Sequence, residues 1–314
     1  MTDMRKVAFL FAGQGAQTVG MGRDFADTVP ESGAVFSMGE ALRTGITQIC
    51  FGTGSQMDGA LLGQTANTQP CLFLTDLAIA EAFRAVGLLP AAVAGFSLGE
   101  IPAAAFAGVL SYEEAFRFVL LRAESMAWQS GRHPGGMAAA LKLAPEVVEE
   151  ICSRFSEVWP VNYNCPGQVS CAGSAAEIDD FCAAVRQAGG RAVKLPVSGA
   201  FHTPYMAQVA PVLRAALDGA DVSAPAIPLY ANRTASPYPA DRVGILDCMT
   251  LQVCSPVRWE STLRAMWTAG ITTFVEVGAG HTLTGFVSRT LPEARALTVN
   301  DIPSFEAVCR ELTE

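Results

Sequence analysis

The sequence predicts an α/β protein with a hydrolase-like core, built on a mostly parallel sheet, and an inserted ferredoxin-like α+β subdomain. Short, wholly apolar runs alternate with helical patterns in the first part of the chain, which is typical of parallel strands covered by helices. Strands and helices then follow one another more closely, and a later apolar run indicates a return to the first sheet. We predict a large domain from 1–130 and 200–314 and a small domain from 131–199.

The large domain is predicted to begin with a buried strand at residues 7–12, an unbroken apolar run. A glycine-rich loop, Gly13-Gln14-Gly15-Ala16-Gln17, follows this strand. The loop lacks the Gly-Lys-Ser/Thr ending of a phosphate loop and the third glycine of a dinucleotide fingerprint, which argues against nucleotide binding. We predict instead that its backbone N–H groups act as hydrogen-bond donors near Ser97. Amphipathic patterns predict helices at residues 68–87 and 112–128.

Between these helices lies Gly95-Phe96-Ser97-Leu98-Gly99-Glu100, after a predicted strand at 88–94 and before a predicted helix at 101–108. A serine flanked by glycines at such a point is typical of a nucleophile elbow, because a Cβ on either side would collide with a neighbouring element. The free N–H groups of the following helix can then bind an oxyanion. Ser97-x-x-Glu100 also matches a capping box, so the motif alone leaves a structural interpretation open.

The small domain is predicted from six closely spaced elements in the order β-α-β-β-α-β, which is the ferredoxin-like pattern. These are a strand at 137–143, a helix at 145–155, strands at 158–162 and 168–172, a helix at 176–188 and a strand at 191–197. The chain then returns to the large domain with a helix at 204–217, a strand at 228–232, a helix at 259–269 and a strand at 274–278.

Composition excludes several classes of protein. A net charge of −9, with no basic stripe, argues against nucleic-acid binding. No apolar run reaches membrane-spanning length and the first residues carry no secretory pattern, so we expect a cytoplasmic protein without membrane contact. The nine cysteines form no Cys-x-x-Cys pair and the three histidines are far apart, so we expect no metal site. We further expect a monomer.

A catalytic Ser97 would need a base, and histidine is the usual one. The candidates are His133, His202 and His281. His202 lies in Gly199-Ala200-Phe201-His202-Thr203-Pro204, where the small domain rejoins the large one, and a cleft is expected at such a junction. The residues around His202 leave a catalytic and a structural role equally open.

Taken together, the motifs resemble the acyltransferase family of fatty-acid and polyketide synthases, which includes the malonyl-CoA:acyl carrier protein transacylases. Six motifs beside the glycine-rich loop occur in the family's order and spacing. The full set is Gly13 to Gln17, Gly95 to Glu100, Arg122 in Leu-Leu-Arg-Ala-Glu-Ser-Met, Asn162 to Gly173, Gly199 to His202, Gln252 to Trp259, and Glu276-Val277-Gly278.

The resemblance implies a role for each matching residue. Ser97 would attack the thioester, and His202 would remove and return its proton. The backbone carbonyl of Gln252 would orient the imidazole in place of a carboxylate, while the backbone N–H groups of Gln14 and Leu98 would form the oxyanion hole.

Substrate choice would depend on Arg122, which lies in an apolar helical stretch and could bind the free carboxylate of malonyl bidentately. Helix composition alone favours the alternative of a salt bridge from Arg122 to Glu113, Glu114 or another carboxylate.

Three further residues are assigned to the substrate pocket by the same resemblance. A bulky residue at Phe201 accompanies malonyl selection in the family, and Asn164 matches a polar contact near the site. Phe96 departs from the family, which usually has histidine there, so a polar contact from that side chain is lost.

The implied activity is transfer of malonyl from malonyl-CoA to the phosphopantetheine thiol of acyl carrier protein, most often in fatty-acid biosynthesis. It needs no bound cofactor, since the coenzyme A thioester and the phosphopantetheine arm are substrates. The alternatives are a trans-acting acyltransferase of polyketide synthesis or an acyl hydrolase of the same family, and, from another class, a non-catalytic module that docks carrier proteins.

Overall fold

The computed structural model describes residues 3–53, 59–197 and 199–314 of the chain. Its central sheet has the order β7-β2-β1-β8-β9, and every neighbouring pair of strands is parallel. These strands are β1 (Val7–Phe11), β2 (Ala92–Gly95), β7 (Leu229–Tyr230), β8 (Thr273–Val277) and β9 (Arg295–Val299). Every residue of β1 is buried, as its unbroken apolar run predicts.

Helices pack on both faces of this sheet. Phe9 and Phe11 of β1 point toward α4 (Thr65–Ala85), α5 (Glu100–Phe106) and α6 (Tyr112–Arg132). Ala8 and Leu10 point toward α11 (Trp259–Thr268) and α12 (Thr282–Thr290) on the opposite face. The large domain also contains α1 (Arg23–Thr28), α2 (Pro30–Leu42), α3 (Ile46–Phe51), α9 (Val209–Ala216), α10 (Arg242–Leu251) and α13 (Ile302–Thr313).

A second, antiparallel sheet has the order β4-β5-β3-β6. Its strands are β3 (Gly135–Leu141), β4 (Val158–Cys165), β5 (Gln168–Ser174) and β6 (Arg191–Lys194), joined by α7 (Pro145–Cys152) and α8 (Ile178–Gln187). The element order and the strand order confirm the ferredoxin-like subdomain. The domain limits at 131 and 199 stay a prediction, and the predicted ranges include residues 1–2, 54–58 and 198, which lie outside the described residues.

The predicted elements differ from the observed ones mainly at their ends. The strand expected at 88–94 begins only at Ala92, two residues after Pro90. The helix expected at 204–217 is divided into a 3-10 turn at Pro204–Met206, which the Thr203 side chain caps, and α9. β9 was not predicted, since its mixed sequence fits a half-exposed edge strand and lacks the apolar run of the buried strands.

Within the described ranges, no helix combines the length and the apolar character that crossing a bilayer requires. In the same part of the chain, no group of three or more His, Cys, Asp or Glu side chains is placed to bind a metal ion.

Two glycines allow the chain to leave β2 in a sharp turn. A Cβ on Gly95 would lie 1.9 Å from the carbonyl carbon and oxygen of Gly99, and a Cβ on Gly99 would lie 2.2 Å from the carbonyl oxygen of Phe11. Both clashes are with backbone atoms, which cannot move aside as a flexible side chain can. The turn therefore requires glycine at both positions, as the sequence predicted.

We expect Gly95→Ala to destabilise the protein by at least ~2 kcal/mol, because the new methyl group overpacks against backbone. Urea unfolding monitored by circular dichroism measures this change. Gly131→Ala is the matched control, since Gly131 lies in α6 with no atom within 4 Å of the new Cβ. It should stabilise the protein by about 0.5–1 kcal/mol, and equal effects of the two substitutions would contradict the assignment of the turn.

Candidate active site

Ser97 lies at the carboxyl end of β2, on the turn that leads into α5. Its φ of 53° is in the left-handed region, which is uncommon for a residue with a side chain. Asn232 stabilises this conformation, because its Oδ1 accepts from the Ser97 N–H at 2.7 Å and its Nδ2 donates to the Gly95 carbonyl at 2.6 Å. No side-chain hydrogen bond caps the 3-10 turn or α5 here, so the elbow is observed and the capping box is not.

The structure brings Ser97 together with His202, 105 residues later in the chain. Ser97 Oγ lies 2.7 Å from His202 Nε2. On the other side of the ring, Nδ1 lies 3.0 Å from the carbonyl oxygen of Gln252 and 3.1 Å from that of Ser255. Both carbonyls can only accept, so Nδ1 carries the proton and donates to them. Nε2 is then the basic nitrogen and accepts from the Ser97 hydroxyl.

His202 is buried and remains neutral over a wide pH range. Burial lowers its pKa to about 4, the positive charge of Arg122 acts in the same direction, and the two carbonyl acceptors oppose the shift. Its backbone is also held in the left-handed region, with a φ of 63°, and its N–H donates to the Val253 carbonyl. The sequence prediction for this residue placed only one carbonyl, that of Gln252, against the imidazole, whereas the structure adds that of Ser255.

Arg122 projects from α6 into the same site with no acid bound to it. It is 1% exposed, and its terminal nitrogens donate to Gln69 Oε1 at 2.6 Å and Gln252 Oε1 at 2.9 Å. Within the described chain it makes no ion pair, and its buried Nε–H has no acceptor. Burial lowers its pKa to about 10, so the guanidinium remains charged at neutral pH. A buried cation with free donors is suited to bind an anion.

The alternative salt bridge from Arg122 to Glu113 or Glu114 is absent from the described residues. Glu114 forms a capping box with Ser111 at the start of α6, and Glu113 is exposed in the same turn. Both acids stabilise the helix N-terminus and lie away from the guanidinium.

Gln252 joins the dyad to Arg122. Its backbone carbonyl accepts from His202, and its side-chain Oε1 accepts from Arg122. Its Nε2 donates to the Ser97 carbonyl at 2.7 Å and to Glu100 Oε2 at 2.9 Å. The residue lies in a 3-10 turn, Gln252–Cys254, directly after α10, where its carbonyl and its side chain both point into the site.

Ser97, His202 and Arg122 line a cavity of about 310 Å³. Its wall includes Gln14, from the loop after β1, and Leu98, from the elbow. The backbone N–H groups of these two residues donate to no acceptor in the described part of the chain. The Gln14 side chain is held apart, donating from Nε2 to Thr65 Oγ1 at 3.1 Å. Two free N–H groups beside a serine nucleophile have the chemistry of an oxyanion hole.

A protein-family model described as an acyl transferase domain matches residues 8–310. The chain belongs to the acyl transferase family.

Individual members of the family resemble the chain over its whole length. A malonyl CoA-acyl carrier protein transacylase from Bacillus subtilis strain 168 is 33% identical over 317 residues, which cover 99% of this chain and 98% of that protein. The crystal structure of the malonyl CoA-acyl carrier protein transacylase from Clostridium perfringens has a TM-score of 0.91 at 33% identity, covering 98% of this chain and 97% of that one. These comparisons confirm the predicted family and fold.

One solved structure contains a carrier protein. It is a holo complex of AntF, a type II polyketide-synthase acyl-carrier protein, with its malonyl-transacylase, PlMCAT. The TM-score is 0.91 at 29% identity, and the match covers 98% of this chain and 99% of that one.

In this acyl transferase, Phe201, Asn164 and Phe96 all line the cavity, as predicted. Asn164 donates to Ser170 Oγ at 3.1 Å, and its buried Oδ1 has no partner in the described residues. The Phe96 side chain packs edge-on against Trp259, with ring centroids 5.4 Å apart. The three residues therefore form part of the cavity wall, and their role in substrate selection stays a prediction.

Four residues of the site were not assigned from the sequence: Gln69, Glu100, Asn232 and Tyr238. Glu100 was visible in the elbow motif but was interpreted only as a capping residue. In the structure it is fully buried and accepts from Tyr238 Oη, from Asn232 N at 2.9 Å and from Gln252 Nε2. The other three come from distant segments, and no motif pointed to them.

The remaining histidines lie away from the dyad. His133 stacks on Tyr205 at the end of α6, with ring centroids 5.0 Å apart, and His281 precedes the first residue of α12. Seven of the nine cysteines are buried, as predicted, while Cys254 and Cys309 are half-buried.

The low pKa of His202 predicts the acid limb of the pH profile. We expect kcat/KM for malonyl-CoA to show no loss as pH falls through 6.5, and to fall only as pH approaches about 4, where His202 becomes protonated. Initial rates across pH 4 to 8 test this, with circular dichroism at each pH as the control for unfolding. A loss of activity centred near pH 6.5 would contradict the assigned environment of the base.

Proposed function

We propose that this chain transfers malonyl from malonyl-CoA to the phosphopantetheine thiol of acyl carrier protein, through an ester on Ser97. The chain is thus an [acyl-carrier-protein] S-malonyltransferase, and fatty-acid biosynthesis is the pathway. One observation carries the proposal: the Ser97–His202 pair and the unpaired guanidinium of Arg122 open into the same cavity. The pair supplies acyl transfer and the guanidinium supplies selection for an acyl group with a free carboxylate.

In the first half-reaction Ser97 Oγ attacks the thioester carbonyl while its proton passes to His202 Nε2. The tetrahedral oxyanion accepts from the backbone N–H groups of Gln14 and Leu98. Collapse breaks the carbon–sulfur bond, and His202 returns the proton to the departing thiolate of coenzyme A. The products are the malonyl ester of Ser97 and free coenzyme A.

The second half-reaction repeats these steps in reverse. The thiol of the phosphopantetheine arm gives its proton to His202 and attacks the ester carbonyl, and Ser97 recovers the proton as the carbon–oxygen bond breaks. A weak base is suited to this exchange, because an imidazolium with a low pKa readily gives its proton back. Neutral carbonyl partners orient the ring without raising its basicity as a carboxylate would.

Arg122 gives the site its preference for malonyl. The carboxylate of the acyl group would accept from the guanidinium donors that no protein group uses, including Nε–H. Gln69 and Gln252 hold the guanidinium in place with neutral oxygens, so they do not compete with an acid for its charge.

The partners follow from the same reaction. Malonyl-CoA and acyl carrier protein are its substrates, and no bound cofactor is required. We propose in addition that the protein acts as a monomer in the cytoplasm, and that its two domains divide at residues 131 and 199.

We expect Ser97→Ala to abolish the covalent malonyl adduct that the unchanged protein forms with malonyl-CoA, because Ser97 is the hydroxyl that is hydrogen-bonded to His202 Nε2 in the described part of the chain. Intact-mass spectrometry without carrier protein measures the adduct. Ser153→Ala, at an exposed serine of the small domain, is the control and should load fully. Persistence of the adduct in Ser97→Ala would show that another residue is the nucleophile.

We expect Arg122→Ala to lower kcat/KM for malonyl loading by ~100-fold and to affect acetyl loading far less, since acetyl has no carboxylate to bind. Loading of the two coenzyme A thioesters, followed by mass, measures the ratio. Arg117→Ala removes an exposed arginine of the same helix and should leave both rates unchanged. Equal losses for malonyl and acetyl would remove the role of Arg122 in selection.

A further inference from the structure

Glu100 is a buried acid that the reaction steps above do not use. It is completely inaccessible, and both of its carboxylate oxygens are occupied. Oε1 accepts from the hydroxyl of Tyr238, while Oε2 accepts from Asn232 N and from Gln252 Nε2, both at 2.9 Å. An acid in this position has no direct access to substrate, so any part it plays in catalysis passes through its neighbours.

One amide group separates Glu100 from Arg122. The side chain of Gln252 donates to Glu100 through Nε2 and accepts from Arg122 through Oε1. Glu100 is also the acid whose negative charge opposes the fall in the pKa of Arg122. A buried guanidinium and a buried acid are therefore linked through a neutral bridge.

Arrival of a substrate carboxylate changes this balance. The carboxylate and Glu100 would together place two negative charges beside one guanidinium, in a region of low dielectric where an unbalanced charge is costly. A carboxylate can relieve this cost by taking a proton.

We propose that binding of a substrate carboxylate at Arg122 is coupled to uptake of one proton from solvent by Glu100, so that the buried cluster keeps the same net charge when empty and when loaded. This inference rests on the proposed function. Glu100 is a positioning residue in this scheme, acting on substrate through Gln252 and Arg122. Protonation at Oε1 is compatible with the surroundings, because the Tyr238 hydroxyl can rotate to accept the proton while Oε2 keeps its two N–H donors.

Among the titratable groups that contact Glu100 or its hydrogen-bond partners, Glu100 is the one whose charge changes near neutral pH. Burial raises the pKa of Glu100 to about 7, against the effect of its donors and of Arg122. Tyr238 and Cys248 stay neutral because burial raises the pKa of each. His202 stays neutral above about pH 4.

The elements packed against α5 add no competing group. β1 and β2 carry no titratable side chain. On α4, burial raises the pKa of Asp76 well above its usual range, but Asp76 is not among the groups that shift the pKa of Glu100, and Glu81 pairs with Arg84. α6 contributes Arg122, which is already part of the cluster, and Glu114, which accepts from the Ser111 hydroxyl.

Isothermal titration calorimetry with Ser97→Ala, which cannot be acylated, tests the coupling. Malonyl-CoA and acetyl-CoA are each titrated at pH 7.5 in two buffers that differ in ionisation enthalpy. Because the coenzyme A part is common to both ligands, the difference in proton uptake belongs to the carboxylate. We expect malonyl-CoA to take up about half a proton more than acetyl-CoA. Equal uptake with the two ligands would overturn the proposal.

Glu100→Gln in the same background keeps the shape of the side chain and removes its titration. We expect the difference in proton uptake between the two ligands to vanish. The affinity of the variant for malonyl-CoA should be independent of pH between about 6.5 and 8.5, whereas the affinity of the protein that retains Glu100 should fall by roughly threefold to tenfold as pH rises over this range. Retention of the difference in Glu100→Gln would assign the proton to another group and overturn the proposal.

If Glu100→Gln fails to fold, Tyr238→Phe provides a second test of the proposal. It removes one donor that lowers the pKa of Glu100, so the pH at which uptake is largest should move upward. An unchanged pH would count against Glu100. The covalent loading of Ser97 tests the proposed function separately: normal loading without the uptake difference rejects this inference alone, and absence of loading rejects the function.

Discussion

Gln252 is the residue on which the geometry of the site depends. Its backbone carbonyl fixes the tautomer of His202, and its side chain holds Arg122 in place and reaches the elbow through the Ser97 carbonyl. Gln252 thereby links the nucleophile pair to the cation, which also donates directly from Nη2 to Ser97 Oγ at 3.4 Å. A carboxylate at the same place would bind Arg122 as an ion pair, whereas the neutral amide accepts from the guanidinium without compensating its charge.

Both residues of the Ser97–His202 dyad have a strained backbone conformation. Ser97 and His202 both have φ in the left-handed region, where residues with side chains pay of order 1–3 kcal/mol each. Asn232 secures the first through two hydrogen bonds, and the backbone bond to Val253 secures the second. The parallel sheet and the packed helices supply the stability that maintains this strain, and they hold the Ser97 hydroxyl in a hydrogen bond with the imidazole of His202.

Burial determines the electrostatics of the site. It lowers the pKa of His202 and of Arg122 and raises that of Glu100. Each of these shifts favours the neutral form of the side chain. The base is therefore neutral at working pH, the guanidinium stays charged because its pKa begins so high, and the acid lies near its midpoint. In the proposed reaction, the carboxylate of malonyl would bring a negative charge to this cation, whereas an uncharged acyl group would bring none.

The sequence by itself determined the fold class and the family, because both depend on local patterns: apolar runs for buried strands, glycines at the elbow, and motifs in a fixed order. The pairing of Ser97 with His202 was implied only by the family resemblance, since the residues around His202 left its role open. The sequence could not assign Asn232, Gln69 or Tyr238, since single polar residues carry no periodicity and acquire a role only when distant segments meet. It also left Glu100 as a capping residue and allowed Arg122 a salt bridge to its own helix. Only the tertiary structure decided these cases, because the partner of a buried charge is set by what folding brings within about 3 Å of it.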